Sequence, residues 1–213
     1  MTKHRLGGWA LIAGSIAGIL AMSQHPTAED LFAPGRLVPV TRMLILVHAL
    51  ALASLPVLFL GALALWRRLG SDTAVSMAGL VLYAFALVAV MNAAVFDGLV
   101  SASLAPQIAA AAPTASEGWR IAFRYNGQVN QAFARVFVVA SAAAIAPWSV
   151  AIIRSGALAR ALGWYGCLLG PLTVVAVFPG HLRLDPHGFG LIVVAQAVWF
   201  IGAGAQLARV RNA

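Results

Sequence analysis

Residues 43–66 read MLILVHALALASLPVLFLGALALW, a run that contains no Asp, Glu, Lys or Arg. A helix needs about 20 such residues to cross a hydrocarbon layer of ~30 Å. Lipid cannot satisfy the backbone N–H and C=O groups of an open sheet, so the run is predicted to be helical. Similar apolar stretches cover residues 7–22, 73–99, 129–153, 161–178 and 188–208. The sequence therefore predicts an all-α, polytopic membrane helix bundle of about six transmembrane helices.

The composition excludes an ordinary soluble protein. Of the 213 residues, 62% are hydrophobic and only 9% are charged, whereas soluble domains carry roughly 25% charged residues. We expect residues 1–213 to form a single integral membrane domain whose partner is membrane lipid. The formal net charge of +8 comes from basic residues that stand singly or in pairs between apolar runs, so we expect no nucleic acid partner.

The basic residues predict how the chain is oriented, because cytoplasmic segments are enriched in Lys and Arg. We predict that both termini are cytoplasmic (N-in/C-in), in a bacterial inner (plasma) membrane. The first stretch is predicted to stay as a helix that packs through Ala10, Gly14 and Gly18, which repeat at four-residue spacing. The predicted cytoplasmic segments contain one acid, Asp72, against Lys3, Arg5, Arg67, Arg68, Arg154, Arg160, Arg209 and Arg211.

Polar side chains collect near the outer ends of the predicted helices. An ionisable group at the centre of a membrane costs roughly 2.5–3.5 kcal/mol on insertion scales, so each one needs a partner or a function. Asp97 and Arg135 are predicted at similar depth on neighbouring helices, and an ion pair between them would account for both. The other polar residues near this face are His25, His48, Asn92, His181, Asp185 and His187.

A polar stripe enters the fourth predicted helix from outside the membrane. Its members are spaced by three or four residues, which places them on one face of a continuous helix, and Ser116 is predicted to cap that helix. Such a face is expected to contact protein or a water-filled cavity, because lipid would leave it unsatisfied. The stripe consists of Arg120, Arg124, Gln128, Gln131 and Arg135.

Imidazoles from separate helices together with a carboxylate are ligands that Zn²⁺ and Cu²⁺ bind. We therefore predict a metal site with His25, His48 and His187 as ligands. Asp97 would be a further ligand or the catalytic base beside one. Zinc with an open coordination position would hydrolyse a lipid or an amide. A haem with His48 and His187 as its axial ligands is a variant of this prediction.

Two other functions remain open at the level of sequence. The protein could be a small carrier or binding protein for an anionic or amphipathic lipid-like ligand, with a homodimer supplying the size that a carrier needs. It could also be a non-catalytic accessory subunit. The chain has no Walker loop, dinucleotide fingerprint, His-Glu-x-x-His helix or Gly-x-Ser-x-Gly elbow, so whether it is an enzyme stays open. The predicted ligand-binding residues are Arg120, Arg124, Gln128, Gln131, Arg135, Asn92, His181 and Asp185.

Overall fold

The computed structural model describes residues 3–71, 73–177, 182 and 184–209, and no strand occurs among them. A π-helical segment, Val95–Val100, joins two of the α-helices without a break. The helices are α1 (Lys3–Ser23), α2 (Ala28–Phe32), α3 (Leu37–Gly70), α4 (Ala74–Ala94), α5 (Ser101–Ala110), α6 (Pro113–Ser155), α7 (Arg160–Val177) and α8 (Pro186–Arg209).

Six helical runs are long and apolar enough to span a membrane: α1, α3, α4 continued through α5, α6, α7 and α8. The prediction of a multi-pass helical membrane bundle is confirmed. The N-in/C-in orientation stays a prediction, because the packing of the helices against one another does not depend on which side is cytoplasmic.

The six spans form a closed ring in chain order. Each span packs against the next, and α8 returns to pack against α1. The links from α3 to α4 and from α6 to α7 are short, which makes those pairs antiparallel neighbours. Gly156 ends α6 with φ 64°, a left-handed conformation that glycine adopts without strain. These two links lie together at what we call the short-link end of the bundle.

Glycine lets α1 approach both of its neighbours closely. A Cβ atom added at Gly8 would lie 2.5 Å from the carbonyl oxygen of Gly204 on α8, and one added at Gly14 would lie 2.6 Å from Leu58 on α3. In lipid, where hydrophobic burial between helices gives little, such close packing is what holds helices together. Gly18 is not packed closely against another helix, because a Cβ atom added there would have its nearest neighbour 4.0 Å away.

Residues 100–128, which lie between the third and fourth apolar stretches of the sequence, are mostly helix. α4 continues through the π-helical segment into α5, and α6 already begins at Pro113. Proline is favoured at the first position of a helix, where its missing N–H is not needed. Ser116 is not the cap that was expected, since it lies in the first turn and its hydroxyl donates to the carbonyl of Pro113.

Three helical runs are much longer than a membrane is thick. At ~1.5 Å per residue, α6 extends roughly 64 Å, α3 roughly 51 Å and the α4–α5 run roughly 55 Å, against a hydrocarbon layer of ~30 Å. We call the end of the bundle opposite the short links the long-helix end. A small apolar cluster of Leu31, Val40 and Ala105 joins α2, α3 and α5 there.

Candidate metal centre

His25 follows the end of α1, and the residues after it fix its position. Thr27 begins α2 with a capping box, in which its hydroxyl oxygen accepts the Asp30 N–H and the Asp30 carboxylate accepts the Thr27 backbone N–H at 2.9 Å. The bond from the Thr27 backbone N–H is the main reason that the pKa of Asp30 lies below its usual value. The carboxylate therefore stays ionised to lower pH than a free one, and the box is lost only as pH falls through that lowered value.

His48 lies inside α3, and its side chain is only 7% exposed. At ~1.5 Å per residue it is roughly 33 Å from the Gly70 end of its helix, and Asp97 is roughly 35 Å from the Ala74 end of α4. A hydrocarbon layer of ~30 Å measured from the short-link end would reach this level. His48 and Asp97 thus lie at the same level of the bundle, toward the long-helix end.

Asp97 is positioned by the π-helical segment. The backbone N–H of Ser101 donates to the carbonyl of Phe96, five residues back, which widens this turn of the helix. Asn126 of α6 donates its side-chain N–H to the same carbonyl at 2.9 Å and to the Ser101 hydroxyl oxygen at 2.9 Å. The widened turn that carries Asp97 is therefore bonded to a neighbouring helix.

Gly98 lets the π-helical segment lie directly against α3. A Cβ atom added at Gly98 would overlap the Cβ and Cγ atoms of His48. Glycine is thus the residue that allows the imidazole of His48 and the carboxylate of Asp97 to come together.

Three possible ligand atoms meet at this point. The Nε2 atom of His25 lies 3.0 Å from Asp97 Oδ2 and 3.3 Å from His48 Nε2, and His48 Nε2 lies 3.4 Å from Asp97 Oδ2. These residues form the one group of three or more His, Cys, Asp or Glu side chains in the described part of the chain that could hold a metal ion. We call them the His/His/Asp cluster.

The other nitrogen of each imidazole is occupied by a backbone carbonyl. His48 Nδ1 lies 2.7 Å from the carbonyl oxygen of Leu44, and His25 Nδ1 lies 2.9 Å from that of Pro26. A carbonyl oxygen only accepts, so both Nδ1 atoms carry the proton and donate it. In a neutral imidazole, Nε2 is then a bare lone pair. The cluster therefore brings two nitrogen lone pairs and a carboxylate oxygen together, an arrangement that either a proton or a metal ion among them would satisfy.

His187, the third predicted ligand, is not part of the cluster. It is exposed in the first turn of α8, where its backbone N–H donates to the carboxylate of Asp185. The carboxylate of Asp185 also accepts the N–H of Gly188, so it bonds to two backbone N–H groups in the first turn of α8. Asn92 donates its side-chain N–H to the carbonyl of Val88 on its own helix. The predicted ligand-binding residue His181 lies outside the described residues.

The polar stripe on α6 faces outward, contrary to the expectation that it would line protein or a cavity. It does lie on one uninterrupted helix, as predicted. Gln131 alone bonds to a distant part of the chain, donating to the carbonyl of Leu184 at 3.0 Å, whereas Arg124 pairs with Glu117 of its own helix. The exposed members are Arg120, Arg124, Gln128 and Arg135.

The expected ion pair between Asp97 and Arg135 is replaced by the pairs between Asp97 and the two histidines. On α6, Phe133 stacks on Phe96 with ring centroids 5.9 Å apart, so that face of the helix looks toward the π-helical segment. Arg135 is two residues further on, which at ~100° per residue turns it to the opposite side. Its side chain is exposed there.

Sequence reasoning missed Gly98 and Asn126. Asn126 is only 4% exposed, and the gap of 30 residues between it and Phe96 carries no periodic signal that would pair them. A polar amide inside an apolar face was the available hint, because a buried amide needs partners. Compared with known proteins, the chain matches no protein-family model, no curated protein and no solved structure.

Proposed function

We propose that His25, His48 and Asp97 bind one transition-metal ion, best fitted by zinc, near the membrane boundary at the long-helix end. The observation that carries this proposal is the convergence of three acceptor atoms whose histidine tautomers are set by backbone carbonyls. Metal-ligating histidines commonly donate their other ring N–H to a carbonyl or carboxylate, which orients the ring and raises its basicity.

The spacing of the three atoms fits tetrahedral coordination. Metal–ligand bonds of about 2.0–2.1 Å arranged as a tetrahedron place the ligand atoms about 3.3 Å apart. The observed separations are 3.0, 3.3 and 3.4 Å. A square-planar Cu²⁺ site would instead need one pair of ligands about 4 Å apart on opposite sides of the ion, so zinc is the better fit of the two.

Three protein ligands leave a fourth position for water or a substrate, as in catalytic zinc sites. A zinc ion held by His25, His48 and Asp97 would lower the pKa of its bound water and polarise a carbonyl group. The side chain of Asp97 is 32% exposed, so the cluster is open on the side of its carboxylate. We infer a hydrolase that acts on a membrane-dissolved amphiphile, with Asp97 as a ligand whose second oxygen accepts a proton from the attacking water.

A haem does not suit this arrangement. Axial histidines must approach the iron from opposite faces of the porphyrin. The Nε2 atom of His48 instead faces His25 at 3.3 Å, and the two rings meet edge to face with centroids 4.9 Å apart. A porphyrin does not fit between His25 and His48, and His187, the other predicted axial ligand, is not in the cluster.

A second candidate function follows from the same lone pairs. One proton could take the place of the metal if His25 became an imidazolium that donates to Asp97 and His48. The cluster would then be the proton-binding site of a small carrier, with the exposed arginines of α6 attracting an anionic ligand. Metal content distinguishes the two functions, because only the first requires an ion in the purified protein.

The test is elemental analysis of detergent-purified protein that has met neither a chelator nor a nickel column. We expect about one zinc per chain in the wild type and loss of bound metal in His48→Ala, His25→Ala and Asp97→Ala. The matched control is His187→Ala, which removes an exposed histidine and should keep the metal. Metal well below one per chain in the wild type, with no uptake of added Zn²⁺ or Co²⁺, would contradict the proposal and favour the proton-binding carrier.

A further inference from the structure

A cavity of about 110 Å³ lies inside the ring of helices, and its walls come from α1, α3, α4, α6 and α8. Apolar cavities of about 150 Å³ are large enough to bind a benzene ring, so this one, at about three quarters of that volume, has room for a short segment of a hydrocarbon chain. Its wall is almost entirely apolar and includes Leu55, Leu58, Leu87 and Val90. Such a lining with a few polar groups is the usual character of a small-molecule pocket.

The cavity begins one helical turn from the His/His/Asp cluster. On α1 it is lined by Met22, three residues before His25, and on α3 by Ala51, three residues after His48. His48 and Ala51, three residues apart on α3, lie on the same side of that helix, about 5 Å apart along its axis. α3 therefore continues from His48 into the cavity wall in the direction of the short-link end, while Met22 lies in the last turn of α1, just before the segment that carries His25.

One polar group of the wall has no partner. The hydroxyl of Ser15 is buried, with the residue 4% exposed, and it forms no hydrogen bond with any described residue. A serine in a membrane helix can bond to a carbonyl of its own helix, but Ser15 does not. Since an unsatisfied buried hydroxyl is costly, this position favours an occupant with a group that can bond to it. The side chains of Tyr83 and Gln196 line the same cavity.

We propose that this cavity binds the hydrocarbon part of an amphipathic ligand whose polar head lies at the His/His/Asp cluster. The hydrocarbon part carries a hydroxyl or carbonyl group that bonds to Ser15. This inference rests on the proposed function for the identity of the head-group site, and it names the substrate class of that site. The cavity itself is tested separately from the metal.

The probes are ω-bromododecanol and ω-bromododecanohydroxamate, whose bromine quenches tryptophan fluorescence at short range. Trp148 and Trp199 are fully buried, and Trp148 lies beside Tyr83 with ring centroids 5.6 Å apart. The background variant replaces the other tryptophans, Trp9, Trp66, Trp119 and Trp164, by Phe. A bromoalkyl chain in the cavity should then quench the remaining fluorescence saturably, in contrast to the linear quenching of simple partition into the micelle.

The decisive variant is Gly18→Leu, and the matched control is Gly127→Leu. Gly18 lines the cavity, and a Cβ atom added there would have its nearest neighbour 4.0 Å away, so the leucine side chain fills the space without striking backbone. Gly127 is also a helical glycine, with nothing within 4 Å. Each buried methylene contributes about fourfold in affinity, so displacing several should weaken both probes at least tenfold in Gly18→Leu only. All titrations use one detergent concentration, so partition into micelles cancels in the comparison.

Saturable quenching that is lost in Gly18→Leu and kept in Gly127→Leu supports the proposal. Ser15 lies ten residues before His25, roughly 15 Å along the helix at ~1.5 Å per residue, so an analogue with a keto group near the bromine end of the chain should bind more tightly than the plain chain in the wild type but not in Ser15→Ala. Quenching that is linear, or equal in the two leucine variants, overturns the proposal. Metal content, measured in parallel, separates the two ideas, because a metal-free protein with a saturable cavity would contradict only the proposed zinc site.

Discussion

Two sets of buried polar atoms, one toward each end of the bundle, are paired in different ways. Toward the short-link end, the indole N–H groups of Trp148 and Trp199 donate to the carbonyls of Ser76 and Leu162 at 3.1 and 3.2 Å. At the His/His/Asp cluster, acceptors meet acceptors. The first arrangement is complete without any ligand and serves packing, whereas the second needs a cation. Burial alone therefore does not mark a functional polar group in a membrane, but an unbalanced set of acceptors does.

Among the variants that test this contrast, the largest loss of stability is expected for Trp148→Ala. Trp148 is fully buried, stacks on Trp199 and packs beside Gly79, where an added Cβ would lie 2.6 Å from its indole nitrogen. Removing a large buried aromatic side chain costs about 3–5 kcal/mol. We expect the thermal midpoint in detergent to fall strongly, while the folded fraction keeps its metal. Loss of metal from well-folded Trp148→Ala protein would show that the two ends are not independent.

The next largest effect is expected for Gly98→Ala. The added methyl group would overlap His48 and force its ring away from Asp97. Misplacing a ligand of this kind weakens metal affinity by about 10–100-fold. Competition with a metal-binding dye measures the change. Gly127→Ala is the control, because it makes the same substitution in open space and should stabilise the helix slightly without altering affinity.

A smaller effect is expected for Asn126→Ala. Its amide supports the π-helical turn, but the Phe96 carbonyl keeps its bond from the Ser101 N–H. We expect a loss of about 1 kcal/mol in the free energy of unfolding and less than a tenfold loss in metal affinity. Thermal unfolding with and without Zn²⁺ measures both. An Asn126→Ala variant that binds metal as tightly as the wild type would mean that Asp97 does not depend on this support.

The smallest effect is expected for Arg135→Gln. The side chain is exposed and turned away from the π-helical segment, so metal affinity should not change and stability should stay within about 0.5 kcal/mol. The same measurements apply as for Asn126→Ala. A marked loss of metal in Arg135→Gln would indicate that this arginine contacts Asp97 after all.

The sequence predicted the helical bundle because long apolar runs leave no alternative to helices in lipid. It also predicted that His48 and Asp97 lie at a similar depth, since depth along a helix follows from residue number, and the two side chains do meet. It could not predict which residues meet across helices. Periodicity predicted that the arginines of α6 share one face of the helix, but it did not predict what surrounds that face. It also did not predict that His25, rather than His187, lies beside His48.

The sequence also failed to predict where the long helices begin and end. The Ala- and Pro-rich segment after residue 99 has the composition of a loop, yet α5 includes Pro106 and α6 starts at Pro113. A helix tolerates proline at its start and glycine within a π-helical turn because of the hydrogen bonds and backbone conformation at those positions. These can be judged only when the structure of the neighbouring turns is known.

The order of the cluster residues along the chain has a consequence for biogenesis. His25, His48 and Asp97 all belong to the first half of the polypeptide: His25 lies just after the first span, His48 on the second and Asp97 on the third. They can meet while the later spans are still being synthesised, before α6 arrives to bond the widened turn through Asn126. A captured ion would then hold three inserted helices together as a template, against which the remaining helices close the ring.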